Sequence, residues 1–356
     1  MPIFWHDSFS AIAQLFEQSR HRRRYSGLVN KPQGERRFIQ SVRTRAGRAG
    51  GALRVGIGDD AAVLRPKGKS EIVVTTDFSL ENKHFRRDWH PAKSAGHRCL
   101  ARGLSDLAAM GARPMAVFLS LAIPAGTMEK TAGKKWVDGF LEGVLELAKA
   151  SGVKLGGGDT ATAPGEEILA DIVLLGSVPR GRALLRSGAK VGDSIYVTGT
   201  LGAAAVELEV LSDDPKKFAR SKVGDKDGHP HLFPQPRLNV GRALIRRGGK
   251  DKATAAIDLS DGLSTDLMHL CEESGVAAVV DATSIPLGGT LLHALHGGED
   301  YELLFTGKKL PKNIAGVQVT KIGTIEKAKK NQPPVRIRMA DGTESALLPM
   351  GWEHQI

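Results

Sequence analysis

Long apolar runs are absent from this sequence, and cysteine is scarce. The longest apolar stretch, Ile168–Val178, is too short for a membrane-spanning helix and is interrupted by Asp171 and Gly176. The N-terminus has no continuous apolar segment behind a basic start, so we expect neither a membrane span nor a secretory signal. The two cysteines, Cys99 and Cys271, lie far apart in helical contexts, which favours reduced thiols in the cytoplasm over a disulfide.

Several familiar catalytic signatures are also missing. The sequence contains no Gly-x-x-x-x-Gly-Lys-Ser/Thr phosphate loop, no dinucleotide fingerprint, no His-Glu-x-x-His and no Gly-x-Ser-x-Gly. These absences argue against a P-loop kinase, a Rossmann oxidoreductase, a zincin and an α/β-hydrolase. If the protein uses ATP, it binds the nucleotide by other means.

The excess of positive charge is concentrated at one end of the chain. Residues 1–50 hold ten Lys/Arg and three Asp/Glu, so they carry +7 of the formal net charge of +11. A basic arm can bind polyanions, but blocks of like charge are more often solvated tails. The pattern therefore favours a solvated basic extension at 1–33 over a nucleic-acid-binding arm.

Beyond the extension, strand-like and helix-like segments alternate, as in α/β proteins, and 356 residues favour two domains, 34–178 and 179–356. A Gly- and Pro-rich stretch at 212–236 is interpreted as a long surface loop. Strands are predicted at Glu71–Thr76, Pro114–Ile123, Glu167–Val178, Ser194–Thr198, Ala253–Leu259, Ala277–Asp281, Tyr301–Thr306 and Val317–Ile322. Helices are predicted at Ala92–Met110, Glu129–Ala150, Gly202–Leu211, Arg237–Arg247 and Asp261–Ser274.

Aspartates stand at or near the ends of the apolar runs. They are Asp59, Asp60, Asp77, Asp106, Asp159, Asp258 and Asp261. A single such aspartate is usually a turn residue or a helix cap, but a set of crowded carboxylates stays ionised only when cations neutralise it. Carboxylate oxygens are hard ligands that suit Mg²⁺. The pattern predicts a metal-dependent enzyme that acts on phosphates.

Seven short motifs, most of which contain one of these aspartates, follow one another along the chain. They are Gly56–Leu64, Thr75–Asp77 followed by His84–Phe85, Ser105–Gly111, Gly157–Thr160, Gly181–Ala189, Ile257–Leu263 and Gly297–Leu303. In this order they resemble the motifs of the thiamine-monophosphate kinase family, and the resemblance covers roughly residues 34–352. The resemblance implies ATP- and Mg²⁺-dependent phosphorylation of thiamine monophosphate to thiamine diphosphate by in-line transfer, the last step of thiamine diphosphate biosynthesis.

The resemblance also implies a fold and a set of roles. The fold is that of aminoimidazole ribonucleotide synthetase, with an α/β N-terminal domain whose sheet pairs across a homodimer and an α+β C-terminal domain. Implied metal ligands are Asp60, Thr75, Thr76, Asp77, Asp106, Asp159, Asp258 and Asp261, and implied catalytic residues are Asp77, Asp106, Asp159 and Asp258. Implied ATP contacts are Gly158, Asp159, Arg186 and Ser260, and implied thiamine phosphate contacts are His84, Glu299 and Trp352. Trp136 matches an aromatic position near the nucleotide base, although its helical spacing equally predicts core packing.

Departures from the family pattern leave some questions open. The segment Glu81–Phe85 carries Asn82-Lys83, which adds a cation near the expected substrate site, and the 212–236 loop is longer than usual. Other enzymes of this fold are disfavoured. Selenophosphate synthetase would require a reactive cysteine or selenocysteine near the N-terminus, and this chain has none before Cys99. A hydrogenase-maturation protein of this fold would end in a cysteine, which this chain does not. A nucleic-acid-binding protein that has lost catalysis is disfavoured because the carboxylate set is intact.

Overall fold

A computed structural model describes residues 53–55, 58–65, 68–215, 228–248 and 252–352. The basic extension at 1–33 lies outside these residues, and so do Gly56 and Ile57 of the first motif. The predicted boundary between residues 178 and 179 stays a prediction. Within the described ranges, no helix combines the length and the apolar character needed to cross a membrane.

The first half of the chain builds a six-stranded sheet with two helices on one face. Its strands are β1 Leu53–Val55, β2 Ala62–Leu64, β3 Ser70–Leu80, β4 Arg113–Ile123, β5 Leu155–Thr162 and β6 Leu169–Pro179. They lie in the order β1-β2-β3-β6-β4-β5, antiparallel except for the β4–β5 pair. Helix α1 (Ala92–Ala109) packs against the sheet, and α2 (Thr131–Ala150) packs against α1. Both helices match their predicted positions closely.

The apolar face of α2 includes one exposed leucine. Val137, Phe140, Val144 and Ala148 are buried, as their spacing of three and four predicts, but Leu145 is 49% exposed. Leu145 lies at the edge of the apolar stripe, where α1 does not reach. The opposite face of the six-stranded sheet also leaves large apolar side chains, such as Phe78, exposed.

The second half of the chain builds an eight-stranded sheet. Its strands are β7 Ser194–Thr198, β8 Ala253–Asp258, β9 Ala277–Asp281, β10 Leu303–Gly307, β11 Asn313–Ile314, β12 Val317–Glu326, β13 Val335–Arg338 and β14 Glu344–Ala346. The order is β14-β13-β9-β12-β7-β10-β8, and β11 pairs with β12. Its helices are α3 Ala203–Asp213, α4 Leu238–Arg246, α5 Leu263–Ser274 and α6 Leu291–His296. Strands β13 and β14 were not predicted, because the apolar alternation of β13 extends over only four residues and β14 is a three-residue segment without a large apolar side chain.

The prediction of a surface loop at 212–236 is wrong for the described part of its C-terminal end. The side chains of His231, Leu232 and Phe233 are buried, and the segment packs against α1 of the first half. Ser94 Oγ donates to the Leu232 carbonyl at 2.8 Å, and His97 Nε2 lies 2.7 Å from the Pro234 carbonyl oxygen. Because these side chains satisfy the backbone carbonyls, the segment can be buried without forming a helix or a strand.

Candidate active site

Three aspartates from distant parts of the chain converge where the two sheets approach α1. Asp60 precedes β2, Asp106 lies near the C-terminus of α1, and Asp258 ends β8. One carboxylate oxygen from each lies within 4.8 Å of the others. The structure therefore brings together three of the predicted metal ligands, separated by up to about 200 positions in sequence.

The negative charge of this cluster is only partly compensated, by Arg186 beside Asp60. Burial and the neighbouring Asp77, Asp258 and Asp60 raise the pKa of Asp106 well above its ordinary value. Burial and the adjacent Asp60 likewise raise the pKa of Asp258 well above its usual range. Each group therefore resists ionisation unless a cation is close by. A divalent metal ion supplies that compensation, and the donor set consists of hard oxygens.

The Thr75-Thr76-Asp77 motif of β3 contributes to the cluster through two of its three residues. Alternation along the strand turns Thr75 and Asp77 toward α1, while Thr76 points to the exposed opposite face. The Thr75 hydroxyl donates to Asp106 Oδ2 at 2.5 Å. Burial raises the pKa of Asp77, an effect that the nearby Arg102 opposes. The predicted role of the Thr76 side chain in metal binding is thus not supported within one chain, whereas Thr75 and Asp77 lie beside the cluster.

Arg186 is held beside the cluster by the Asp59-Asp60 pair. Its Nη2 and Nε donate to Asp60 Oδ1 and Oδ2 at 2.7 and 3.2 Å, and its backbone N–H donates to Asp59 Oδ1 at 2.9 Å. Burial and Asp60 raise the pKa of Asp59 to about 7. The predicted ATP contact Arg186 therefore presents a fixed guanidinium next to the predicted metal ligand Asp60.

The loop after β8 carries the predicted residues Ser260 and Asp261. The buried Asp266 carboxylate, in the first turn of α5, accepts the N–H groups of Asp261 and Gly262 at 3.1 and 3.0 Å, and so fixes the loop. Glu299 donates its backbone N–H to the Ser260 carbonyl at 2.7 Å. Trp352 donates its backbone N–H to the Asp261 carbonyl at 3.1 Å. Two of the predicted substrate contacts are thus attached to the loop that carries a predicted ATP contact and a predicted metal ligand.

The approach of the C-terminal segment to this loop depends on Gly351. A Cβ atom at position 351 would lie 1.9 Å from the Asp261 carbonyl oxygen, so only glycine allows the contact. Gly351 also donates its N–H to Thr265 Oγ1 at 3.1 Å. The half-buried Trp352 side chain is therefore placed by a specific backbone contact.

Glu299 is held by a buried basic network. Arg98 Nη2 donates to Glu299 Oε1 at 2.6 Å, and His231 Nδ1 lies 3.2 Å from Glu299 Oε2. Burial opposes ionisation of Glu299, but Arg98 and His231 more than offset it and hold the pKa well below its ordinary value. Arg98 also donates to the carbonyl oxygen of His84 at 3.3 Å. The two predicted substrate contacts His84 and Glu299 are thereby joined through one guanidinium.

Gly158 and Asp159 lie apart from this assembly within one chain. On the edge strand β5, Gly158 aligns with Leu119 of β4 in the row of Asp77, but β6 and β4 intervene, a separation of roughly 14 Å. Asp159 aligns with Ser120 on the exposed face of the sheet. The structure does not bring either residue to the three-aspartate cluster, and their roles stay predictions.

Trp136 packs as its helical spacing predicts. Its ring packs against Phe85 and Phe140 with centroid distances of 5.6 Å to each, and those two rings lie 6.5 Å from one another. Three residues near the aspartate cluster or the predicted substrate contacts were not singled out from the sequence: Arg98, Arg102 and Asp266. Asp59 was noted in the sequence, but its role in binding Arg186 was not predicted. Arg98, Arg102 and Asp106 are spaced by four on α1, and this spacing was the signal that could have identified them.

Comparisons with known proteins identify relatives of this chain. Family models described as AIR synthase related protein, N-terminal domain and C-terminal domain, match residues 58–178 and 190–310. The thiamine-monophosphate kinase of Salmonella typhimurium is 39% identical over 286 residues, covering 76% of this chain and 82% of that protein. A structure of AaThiL complexed with AMPPCP and TMP superposes with a TM-score of 0.73 at 26% identity, covering 92% of this chain and all of that one. A crystal structure of thiamine-monophosphate kinase from Stenotrophomonas maltophilia is 34% identical, with a TM-score of 0.64 and coverage of 86% of this chain and 95% of that one. The predicted two-part fold is confirmed.

Proposed function

The chain is a member of the thiamine-monophosphate kinase family, and we propose that it transfers a phosphoryl group from ATP to thiamine monophosphate, forming thiamine diphosphate and ADP. The observation that carries the proposal is the convergence of Asp60, Asp106 and Asp258 beside Arg186, within a chain that resembles these kinases over most of its length. The second pKa of a phosphate monoester is about 6, so the acceptor is already ionised near neutral pH. The reaction needs alignment and charge compensation more than it needs a strong general base.

Residues of this chain are suited to hold Mg²⁺. Asp60, Asp106 and Asp258 would hold it, with Thr75 and Asp77 alongside, because the three carboxylates are crowded and burial beside like charges raises the pKa values of Asp106 and Asp258. Bound Mg²⁺ would compensate the negative charge of the phosphates as they approach. The additional ligands predicted at Thr76, Asp159 and Asp261 remain part of the proposal, although the side chains of Thr76 and Asp159 face away from the cluster.

The protein's own groups set the order of the substrates along the site. Arg186, fixed by Asp59 and Asp60, would bind phosphate oxygens of ATP. Glu299 and Trp352, attached to the loop after β8, would bind the thiamine end of the acceptor. An ionised Glu299 and an aromatic face both favour a cationic thiazolium. The acceptor phosphate would then lie between these groups and the aspartates.

A homodimer is supported by the uncovered face of the six-stranded sheet. Phe78 and Phe118 are 62% and 37% exposed, and they share that face with the half-buried Val173 and Leu175. An open apolar sheet face of this kind is typical of a surface that a second copy covers. A monomer in analytical ultracentrifugation at micromolar concentration would contradict the proposal.

A cytoplasmic location is part of the same proposal. Cys99 and Cys271 are unpaired and buried, and burial raises their thiol pKa values to about 12. This is consistent with a reducing compartment.

The reaction can be tested directly with the full chain. Purified protein incubated with ATP, Mg²⁺ and thiamine monophosphate should form equal amounts of ADP and thiamine diphosphate, measured by chromatography, and EDTA should abolish the reaction. Phosphorylation of free thiamine with none of the monophosphate would refute the proposal.

A further inference from the structure

One face of α1 links the aspartate cluster to the predicted thiamine site. Arg98, Arg102 and Asp106 are spaced by four and therefore lie along one side of the helix. Arg98 is bound to Glu299, while Asp106 belongs to the cluster with Asp60. Arg102 occupies the middle of this line, between the two ends of the site.

Arg102 is mostly buried, and its Nε–H has no acceptor among the described residues. Its side chain is 19% exposed, and its Nε lies 3.7 Å from Asp77 Oδ1, which is too long for a hydrogen bond. Among the described residues, neither Arg102 Nε nor Asp77 Oδ2 has a hydrogen-bond partner. Leaving buried donors unsatisfied is costly, and a guanidinium has five N–H groups to satisfy.

The surroundings of Arg102 keep it charged and lead to the substrate side. Burial opposes its charge, but Tyr301, Asp77 and Glu299 together raise its pKa further above the ordinary value. Ser79, His84 and Arg98 line one narrow crevice with Arg102, and this crevice is too tight to admit a water molecule. A phosphate would therefore contact this permanent cation at the exposed part of its side chain, beside the predicted substrate contact His84.

We propose that Arg102 binds the phosphate of thiamine monophosphate and so determines the preference for the phosphorylated acceptor over free thiamine. This inference rests on the proposed function. If His84, Glu299 and Trp352 bind the thiamine end and the aspartates hold the metal ion, the acceptor phosphate must lie between them, and Arg102 is the cation there. A guanidinium can form paired hydrogen bonds with two phosphate oxygens, which an ammonium cannot match.

The competing explanation is that Arg102 serves only as a counter-ion for Asp77. Both explanations predict that loss of Arg102 disturbs the protein. They differ in how the two acceptors are affected. A counter-ion role changes the binding of thiamine and of thiamine monophosphate in equal proportion, whereas a phosphate-binding role changes only the latter.

The test is isothermal titration calorimetry of the full chain with thiamine and with thiamine monophosphate, at fixed Mg²⁺. In Arg102→Met, the Kd for thiamine divided by the Kd for thiamine monophosphate should fall at least tenfold, because only thiamine monophosphate binds more weakly. The Kd for thiamine should stay within about twofold of wild type. Arg102→Lys should give an intermediate ratio, and Arg113→Met, which removes an exposed arginine at the start of β4, should leave it unchanged. An unchanged ratio in Arg102→Met, or equal weakening of both ligands, overturns the proposal.

Two further measurements keep the test decisive. If Arg102→Met does not fold, Arg102→Lys carries the test, and a wild-type ratio in that variant overturns the proposal. Turnover of thiamine monophosphate by wild type is measured on the same preparation. The absence of this turnover would refute the proposed kinase function. If wild type turns over thiamine monophosphate but the binding ratio is unchanged in the Arg102 variant, only the role of Arg102 is refuted.

Discussion

Replacing Asp106 by asparagine should separate stability from activity. The substitution removes one negative charge from the cluster and keeps the size of the side chain. The asparagine Oδ1 can still accept the Thr75 hydroxyl, which now donates to Asp106 at 2.5 Å. The main physical change is therefore the loss of repulsion with Asp77, Asp258 and Asp60.

The magnitude follows from the spacing of the cluster. At a separation of 4.8 Å, two unit charges interact with about 1 kcal/mol at a dielectric constant near 80 and about 3.5 kcal/mol near 20. Asp106 takes part in two such pairs, but its raised pKa means that part of the repulsion is already relieved by protonation. We expect Asp106→Asn to increase the free energy of unfolding of the metal-free protein by about 1–3 kcal/mol at pH 8. The melting temperature should rise by a few degrees.

The same substitution should remove most of the activity. The loss of a charged metal ligand should lower kcat/KM for the Mg²⁺-dependent reaction by roughly a hundredfold or more. Mg²⁺ should also raise the melting temperature of the variant less than that of wild type, because the variant binds the ion more weakly.

The assay is differential scanning calorimetry with EDTA and with Mg²⁺, alongside steady-state kinetics on the same preparations. The matched control is Asp138→Asn, which removes an exposed carboxylate paired with Lys134 on α2. The control should leave both kinetics and the Mg²⁺-induced shift unchanged. Near-normal turnover of Asp106→Asn, or a fall in its metal-free melting temperature, would show that Asp106 is not an uncompensated metal ligand.

Three further predictions follow from the site and from the charge distribution. Trp352→Ala should raise KM for thiamine monophosphate roughly tenfold, with a smaller effect on KM for ATP. Trp352→Phe should recover part of this loss. An unchanged KM together with a lower melting temperature would assign Trp352 to packing alone. Because the pKa values of Asp59, Asp106 and Asp258 are raised, their protonated forms stabilise the fold at acid pH, and this contribution is lost as pH rises through the folded-state values, about 7 for Asp59. The stabilisation by Mg²⁺, measured by scanning fluorimetry, should therefore be larger at pH 8 than at pH 5, and equal shifts would contradict metal binding at these groups. A chain beginning at Lys31 should match the full chain in turnover, and a folded but inactive truncated chain would implicate the basic extension.

The sequence was sufficient to predict most helices and strands, because their apolar periodicity is strong. The α1 and α2 helices and the strands β4, β7 and β9 differ from their predicted bounds by two residues or fewer. Strands β13 and β14 were missed because they are only four and three residues long, too short for a clear apolar periodicity. The buried segment around His231 was missed for a different reason, since side chains from a remote helix satisfy its backbone.

The members of the site were predicted in part. The resemblance pointed to Asp60, Asp106 and Asp258, but only the fold shows that these three share one cluster. Alternation along β3 turns Thr76 away from Asp77, and a motif alone does not reveal that orientation. Arg102 was missed because its spacing of four from Arg98 and Asp106 is a weak signal in a single sequence. Its partners come from β3 and from the turn before β10, which the chain brings close only on folding.

The segment around Leu232 also has a consequence for how the protein folds. It belongs to the second half of the chain, yet α1 of the first half binds its carbonyls through Ser94 and His97. Contacts that distant in sequence form late, after the intervening chain has been ordered. Neither half is therefore expected to reach its final packing alone. We expect the two halves to unfold together in one cooperative thermal transition instead of two.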